Sequence, residues 1–136
     1  MNILKQLATI VVCGGFMVGC VQIPKYEQTQ VKQNFHLGEA CPANLSLAIG
    51  EKIGFSAPEN ATTGYQWQLK NPLNHLSATS YYVADAKDQT VVGSGGIRHF
   101  EFSAKKAGTE TIQLDYVRTW EKDKPAESWQ CQVSIK

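Results

Sequence analysis

The sequence predicts an all-β protein, a two-sheet antiparallel β-sandwich carried behind an export signal. Three observations lead there. Beyond the first third of the chain, apolar residues recur at every second position in short sets, the period of half-buried strands. Clusters of Gly, Pro and Asn separate the sets. No window of eleven or more residues after the N-terminal segment holds apolar residues at i, i+3, i+4 and i+7 together with helix caps, so helix content should be low.

The sets run in order as Leu45/Leu47/Ile49, Ile53/Phe55/Ala57, Tyr65/Trp67/Leu69, Phe100/Phe102/Ala104, Ile112/Leu114/Tyr116 and Trp129/Cys131/Val133/Ile135. Each alternates with mostly polar neighbours, so one face of each strand should enter a common core. Tyr65, Trp67 and Trp129 are read as core residues on this ground. Cys131 shares a face with Trp129 and Val133, so its sulfur should point inward.

The first 20 residues carry Lys5, then an apolar run over residues 7–18, then Gly19-Cys20. The run is shorter than the roughly 20 residues a membrane-spanning helix requires. Met17-Val18-Gly19-Cys20 resembles the bacterial lipobox, which implies cleavage before Cys20 and acylation of its thiol. Multiple acyl chains would anchor the protein firmly. Val21 stands where aspartate would favour the inner membrane, so the expected location is the periplasm, held at the outer membrane. The competing reading is an ordinary secretory signal cut near Gly19, with Cys20 a free thiol. Residues 20–36 are expected to be the lipidated N-terminus and a flexible tether, because residues 21–34 are polar, glutamine-rich and without apolar period. The folded domain is expected over residues 37–136.

The chain has 136 residues and a formal net charge of +1. Lys5 leaves with the signal, so the mature chain is close to neutral and no nucleic-acid partner is implied. One modest core fits this length, and no second domain does. Cys13 also leaves and Cys20 takes lipid, so Cys41 and Cys131 remain as a pair. In an oxidising compartment these should form a disulfide tying an early strand to the last one. A metal or redox pair is the rival, but it lacks close Cys-x-x-Cys spacing. His36, His75 and His99 stand far apart without companions at metal spacing, so no metal site and no cofactor are expected. Serine, histidine and acidic residues form no recognisable nucleophile–base arrangement, so catalysis is not expected.

Three segments between strands are unusual for plain connections. Glu59 leads into Asn60-Ala61-Thr62-Thr63-Gly64-Tyr65, whose small hydroxyls and glycine offer backbone at low steric cost. Gly93-Ser94-Gly95-Gly96 permits close backbone approach, yet no Lys-Ser/Thr follows it, which excludes a phosphate-binding loop. Arg118-Thr119-Trp120 places two residue types enriched at interface hot spots in a charged loop.

Together the three segments resemble the chagasin family of cysteine-protease inhibitors. That family is marked by an Asn-Pro-Thr-Thr-Gly-Tyr/Phe loop, a Gly-x-Gly-Gly loop and an Arg-Pro-Trp loop, and all three occur here in the same order. Ala61 and Thr119 replace the two prolines. The resemblance implies an immunoglobulin-like sandwich that is a reversible inhibitor and not an enzyme, and whose three loops enter the cleft of a papain-like protease, cathepsin L-like or bacterial. Residues 60–65 would serve as the first protease-binding loop, 93–96 as the second and 118–120 as the third, on a monomeric domain. The alternative is a periplasmic sandwich that binds glycan or another envelope component, with Trp120 and Tyr81-Tyr82 as stacking surfaces.

Overall fold

The structure is a computed structural model, and residues 31–85 and 95–136 are described. Residues 1–30, with the export signal, Cys20 and most of the expected tether, lie outside the described residues, as do Gly93 and Ser94 of the second loop.

Eight strands are found among the described residues: β1 Val31–His36, β2 Ser46–Leu47, β3 Lys52–Glu59, β4 Tyr65–Leu69, β5 Leu76–Ala84, β6 Gly96–Ala104, β7 Gly108–Arg118 and β8 Glu127–Ile135. They form two four-stranded sheets, one ordered β1-β3-β6-β5 and the other β2-β8-β7-β4. The fold is thus an all-β sandwich, immunoglobulin-like in arrangement. The long strands pair antiparallel, while the short or peripheral β1 and β2 join β3 and β8 in parallel.

The inward-facing sets meet between the sheets. Ile53, Phe55, Phe102, Ile112, Leu114 and Val133 lose essentially all contact with solvent. At the centre Phe55 stacks on Trp129 at 4.5 Å and meets Trp67 edge-on at 5.4 Å. Such pairs contribute about 0.5–1.5 kcal/mol each beyond the area they bury. The chain of rings continues from Trp67 to Tyr116 at 5.2 Å and on to Tyr65 at 5.3 Å, leading out of the core toward one end of the sandwich. The indole N–H groups are satisfied at the edge of this core: Trp67 Nε1 donates to the Pro58 carbonyl at 3.0 Å and Trp129 Nε1 to the Glu39 carbonyl at 3.1 Å.

Four sequence expectations are corrected. The tether does not extend to residue 36, because Val31–His36 is a strand with Phe35 fully buried against Trp129. Only that one side chain points deep into the core, so the period was invisible, and the strand is held by backbone pairing to β3 instead. Ile49 is 58% exposed, since β2 ends at Leu47 and the chain turns before β3. Leu76–Ala84 forms a nine-residue strand that alternation did not reveal, because Leu76 alone in it is buried. Cys41 bonds Cys131 as expected, with Cα atoms 5.2 Å apart, but Cys41 sits in the connection after β1 and not in a strand.

Candidate functional site

The strand registers bring the three unusual segments to one end of the sandwich. Glu59, the last residue of β3, pairs with Gly96, the first of β6, and Gly96 pairs with Ala84, the last of β5. Tyr65, the first residue of β4, pairs with Arg118, the last of β7. The β3–β4, β5–β6 and β7–β8 connections therefore emerge together, and the first of them lies between the other two.

The first loop is held by its own hydrogen bonds. Asn60 Oδ1 accepts from the Thr62 N–H at 3.1 Å and from the Thr62 hydroxyl at 2.6 Å, which caps a 3-10 turn over Ala61–Thr63. The Thr63 hydroxyl donates to the Asn60 carbonyl at 2.6 Å. Gly64 closes the turn in the left-handed region at φ +79, its N–H donating to the Ala61 carbonyl at 3.1 Å. The Asn60 N–H donates to the Tyr116 hydroxyl at 3.1 Å, which fastens the loop to the aromatic column below. Ala61, Thr62 and Thr63 remain exposed at the tip. Ala61 opens the turn, a position that tolerates proline because its φ suits a helical start and its N–H is not needed there.

Gly64 also makes the contact between loops possible. A β-carbon on it would lie 2.5 Å from the Trp120 ring, so the outer edge of the indole comes up against bare backbone. Trp120 is nevertheless 68% exposed, with its outer surface open to solvent. Arg118 lies beneath this arrangement, its guanidinium 4.5 Å from the Tyr65 ring and 5.8 Å from the Trp120 ring. Glu121 Oε2 lies 3.9 Å from Arg118, and the Glu121 N–H donates to the Arg118 carbonyl at 3.0 Å, tightening the turn that carries Thr119 and Trp120. Arg118, expected as a contact residue, is thus also the prop that aims Trp120. Tyr65, expected in the core, is only half-buried and supports Arg118.

The described part of the second loop packs on the first. A β-carbon on Gly95 would come within 3.3 Å of the Glu59 carbonyl oxygen, and one on Gly96 within 2.3 Å of the Val83 carbonyl oxygen and 2.6 Å of the Tyr82 ring. Crowding requires glycine at 96 and leaves little room for a β-carbon at 95.

Sequence reading missed the residues that join these loops below the surface. Glu59, taken as the start of a loop, is 2% exposed and receives a forked pair from Arg98, with Nη2 to Oε1 at 2.6 Å and Nε to Oε1 at 3.2 Å. Its other oxygen accepts the Trp67 N–H at 2.8 Å. Tyr82 covers Arg98 at 5.4 Å from the ring centroid. One carboxylate thereby connects β3, β4 and β6 at the base of the first and second loops. The signal was present: Glu59 continues the Ile53/Phe55/Ala57 alternation and Arg98 begins that of Phe100/Phe102, placing opposite charges on the core face of neighbouring strands.

His36, His75 and His99 do not converge, and no group of three or more metal-ligating side chains occurs among the described residues. Tyr81 and Tyr82 point to opposite faces of their sheet, Tyr81 stacked on His99 at 4.8 Å and Tyr82 on Arg98. With Trp120 at the loop end, the aromatics proposed for a glycan surface share no face.

An immunoglobulin-like sandwich with two fastened loops, the glycine end of a third beside them and an exposed indole, all at one end, defines a protein-docking wedge. Comparison with known proteins names its class: the family described as chagasin family peptidase inhibitor I42 matches residues 46–135, and the chain belongs to that family. It is accordingly a peptidase inhibitor and not an enzyme. Chagasin of Trypanosoma cruzi is 33% identical over 82 residues, covering 57% of this chain and 74% of that protein. Amoebiasin-2 of Entamoeba histolytica is 32% identical over 83 residues, covering 60% and 68%. Among solved structures, a cysteine protease inhibitor from Entamoeba histolytica superposes with a TM-score of 0.62 at 28% identity, covering 76% of this chain and 96% of that one.

Proposed function

We propose that this chain inhibits papain-type cysteine proteases reversibly, by inserting its three adjacent loops into the active-site cleft, and that it does so while anchored to a bacterial outer membrane through acylated Cys20. The observation that supports the wedge is the pairing of Glu59 with Gly96 and of Tyr65 with Arg118, which sets residues 60–64 centrally between the other loops. On this reading Thr62-Thr63-Gly64 covers the catalytic cysteine of the target. A peptide bond inside a hydrogen-bonded 3-10 turn is not held in the geometry that nucleophilic attack requires, so the loop occludes without being cut. Gly93-Ser94-Gly95-Gly96 runs along one wall, where main chain pairs with main chain. Trp120 packs on the opposite rim, its exposed face supplying a large, rigid apolar anchor. Strands stand behind every loop, and this preorganisation lowers the ordering cost of binding.

A soluble form beginning after Cys20, titrated against papain, is expected to abolish activity competitively; undiminished activity at micromolar inhibitor would refute the inhibitory reading. Trp120→Ala is expected to raise the inhibition constant by roughly 30-fold or more, the cost of losing a hot-spot aromatic. Its melting temperature should stay within about a degree, because the ring is mostly in solvent. A matching loss of stability would reassign Trp120 to a structural role.

The anchor rests on Met17-Val18-Gly19-Cys20 alone. Full-length protein expressed in a bacterium should partition into the detergent phase and incorporate labelled palmitate, and Cys20→Ala should do neither. Detergent partition unchanged by that substitution would remove the lipid from the account.

A further inference from the structure

Among the described residues each sheet ends in strands with one unpaired backbone edge, and exposed edges are normally blunted by charge, proline, shortness or bulges. Two of the four edges follow that rule, and a third is of ordinary strand length. β1 carries Lys32 and an irregular register between Val31 and Gln33, β2 has two residues, and β4 has five. The fourth, β5, does not. It runs nine residues, Leu-Ser-Ala-Thr-Ser-Tyr-Tyr-Val-Ala, without a charge, a proline or a glycine. Its register with β6 is unbroken from Leu76 to Ala84. Every second residue turns its N–H and C=O away from β6, which leaves an open ladder. Tyr81 and Val83 are 59% and 49% exposed on the outer face of the same strand.

We infer that β5 is a self-association edge, pairing antiparallel with β5 of a second copy of this chain. Neutrality favours a second copy, since two identical strands oppose no like charges when they pair. The side-chain order favours it too. In a register centred on Ser80, Tyr81 of one copy faces Thr79 of the other and Val83 faces Ser77, large against small, twice about the two-fold axis. The two sheets then continue as one eight-stranded sheet. Antiparallel pairing sends the loop ends in opposite directions, so both wedges stay free and the dimer is bivalent. The monomeric domain expected from the sequence is the dilute form of this equilibrium.

Sedimentation velocity of the soluble domain from about 1 μM to several hundred μM tests this, together with amide hydrogen exchange at both extremes. Mass is expected to double with concentration, with slowed exchange confined to β5. Ser80→Lys puts two ammonium groups across the two-fold axis and should weaken the dimer by about fivefold or more; Thr79→Lys, on the other side of the strand, should act in the same direction. Both side chains are exposed, so the monomer should fold and its inhibition constant should not change. A monomer at every concentration overturns the inference. So does a dimer with unprotected β5, and so does β5 protection that appears only with protease present. None of these outcomes bears on inhibition itself.

Discussion

Glu59→Ala is expected to lower the unfolding free energy by about 3 kcal/mol and to weaken protease inhibition with it. The carboxylate is 2% exposed, and its removal leaves Arg98 and the Trp67 N–H without their acceptor at the mouth of the core. Breaking a buried pair costs roughly 3–5 kcal/mol because one charge is left desolvated, and the partial exposure of Arg98, 23% for its side chain, places this case at the lower end. The functional loss follows from position. Glu59 ends the strand before the first loop, pairs in register with Gly96 of the second, and receives the backbone of β4 through Trp67. Urea unfolding measures the first effect, and inhibition assayed well below the variant's melting temperature measures the second. Glu59→Gln keeps a neutral acceptor for Trp67, so its loop geometry should survive better than its stability. A stability loss under 1 kcal/mol in the alanine variant would show that Arg98 reaches water or another acceptor when freed, and that the pair is not what holds the loops together.

Replacing both members of the disulfide, Cys41→Ser with Cys131→Ser, is expected to cost about 4–5 kcal/mol. The bond closes a loop spanning 90 residues, and cross-linking so long a stretch removes much of the freedom of the unfolded chain. Buried serine at position 131, among Trp129, Val133 and Ile112, adds the penalty of a polar group in apolar surroundings. For a domain this small such a loss consumes a large part of the usual 5–15 kcal/mol. Neither cysteine belongs to the three loops, so the inhibition constant of the folded fraction should hold even as the urea midpoint falls. Reduction of the native protein should reproduce the stability effect. A midpoint that barely moves in both experiments would mean that the unfolded chain is already restricted without the bond.

These two effects divide the roles of the buried residues. Glu59 serves the loop end directly, while the disulfide fastens the connection after β1 to β8 and reaches function only through the stability of the whole. Trp120 stands apart from both, since most of its ring lies in solvent and, on the proposed reading, its removal is felt by the partner.

Much of the site was legible because its marks are local. Thr62-Thr63-Gly64, Gly95-Gly96 and Arg118-Thr119-Trp120 are contiguous, and a loop's need for glycine or a capping Asn60 is decided within a few residues. The strands Ile53/Phe55/Ala57 and Cys131/Val133/Ile135 were equally plain, since a two-residue period survives wherever one face is wholly buried. Two of the edge strands broke that rule. β1 and β5 each bury a single side chain fully, so their membership of a sheet rests on backbone hydrogen bonds that leave no trace in side-chain pattern.

The amino-acid order by itself determined the sandwich class, the three loops and which two cysteines could bond, because each depends on period or spacing along the chain. Only the tertiary structure decided that the loops stand in the order second, first, third, that Trp120 lies on Gly64, that Arg118 props it from Tyr65, and that Glu59 and Arg98 join the loop bases. These contacts link residues tens of positions apart, and their existence depends on the register between strands, which is set by how the whole core closes and not by any one segment.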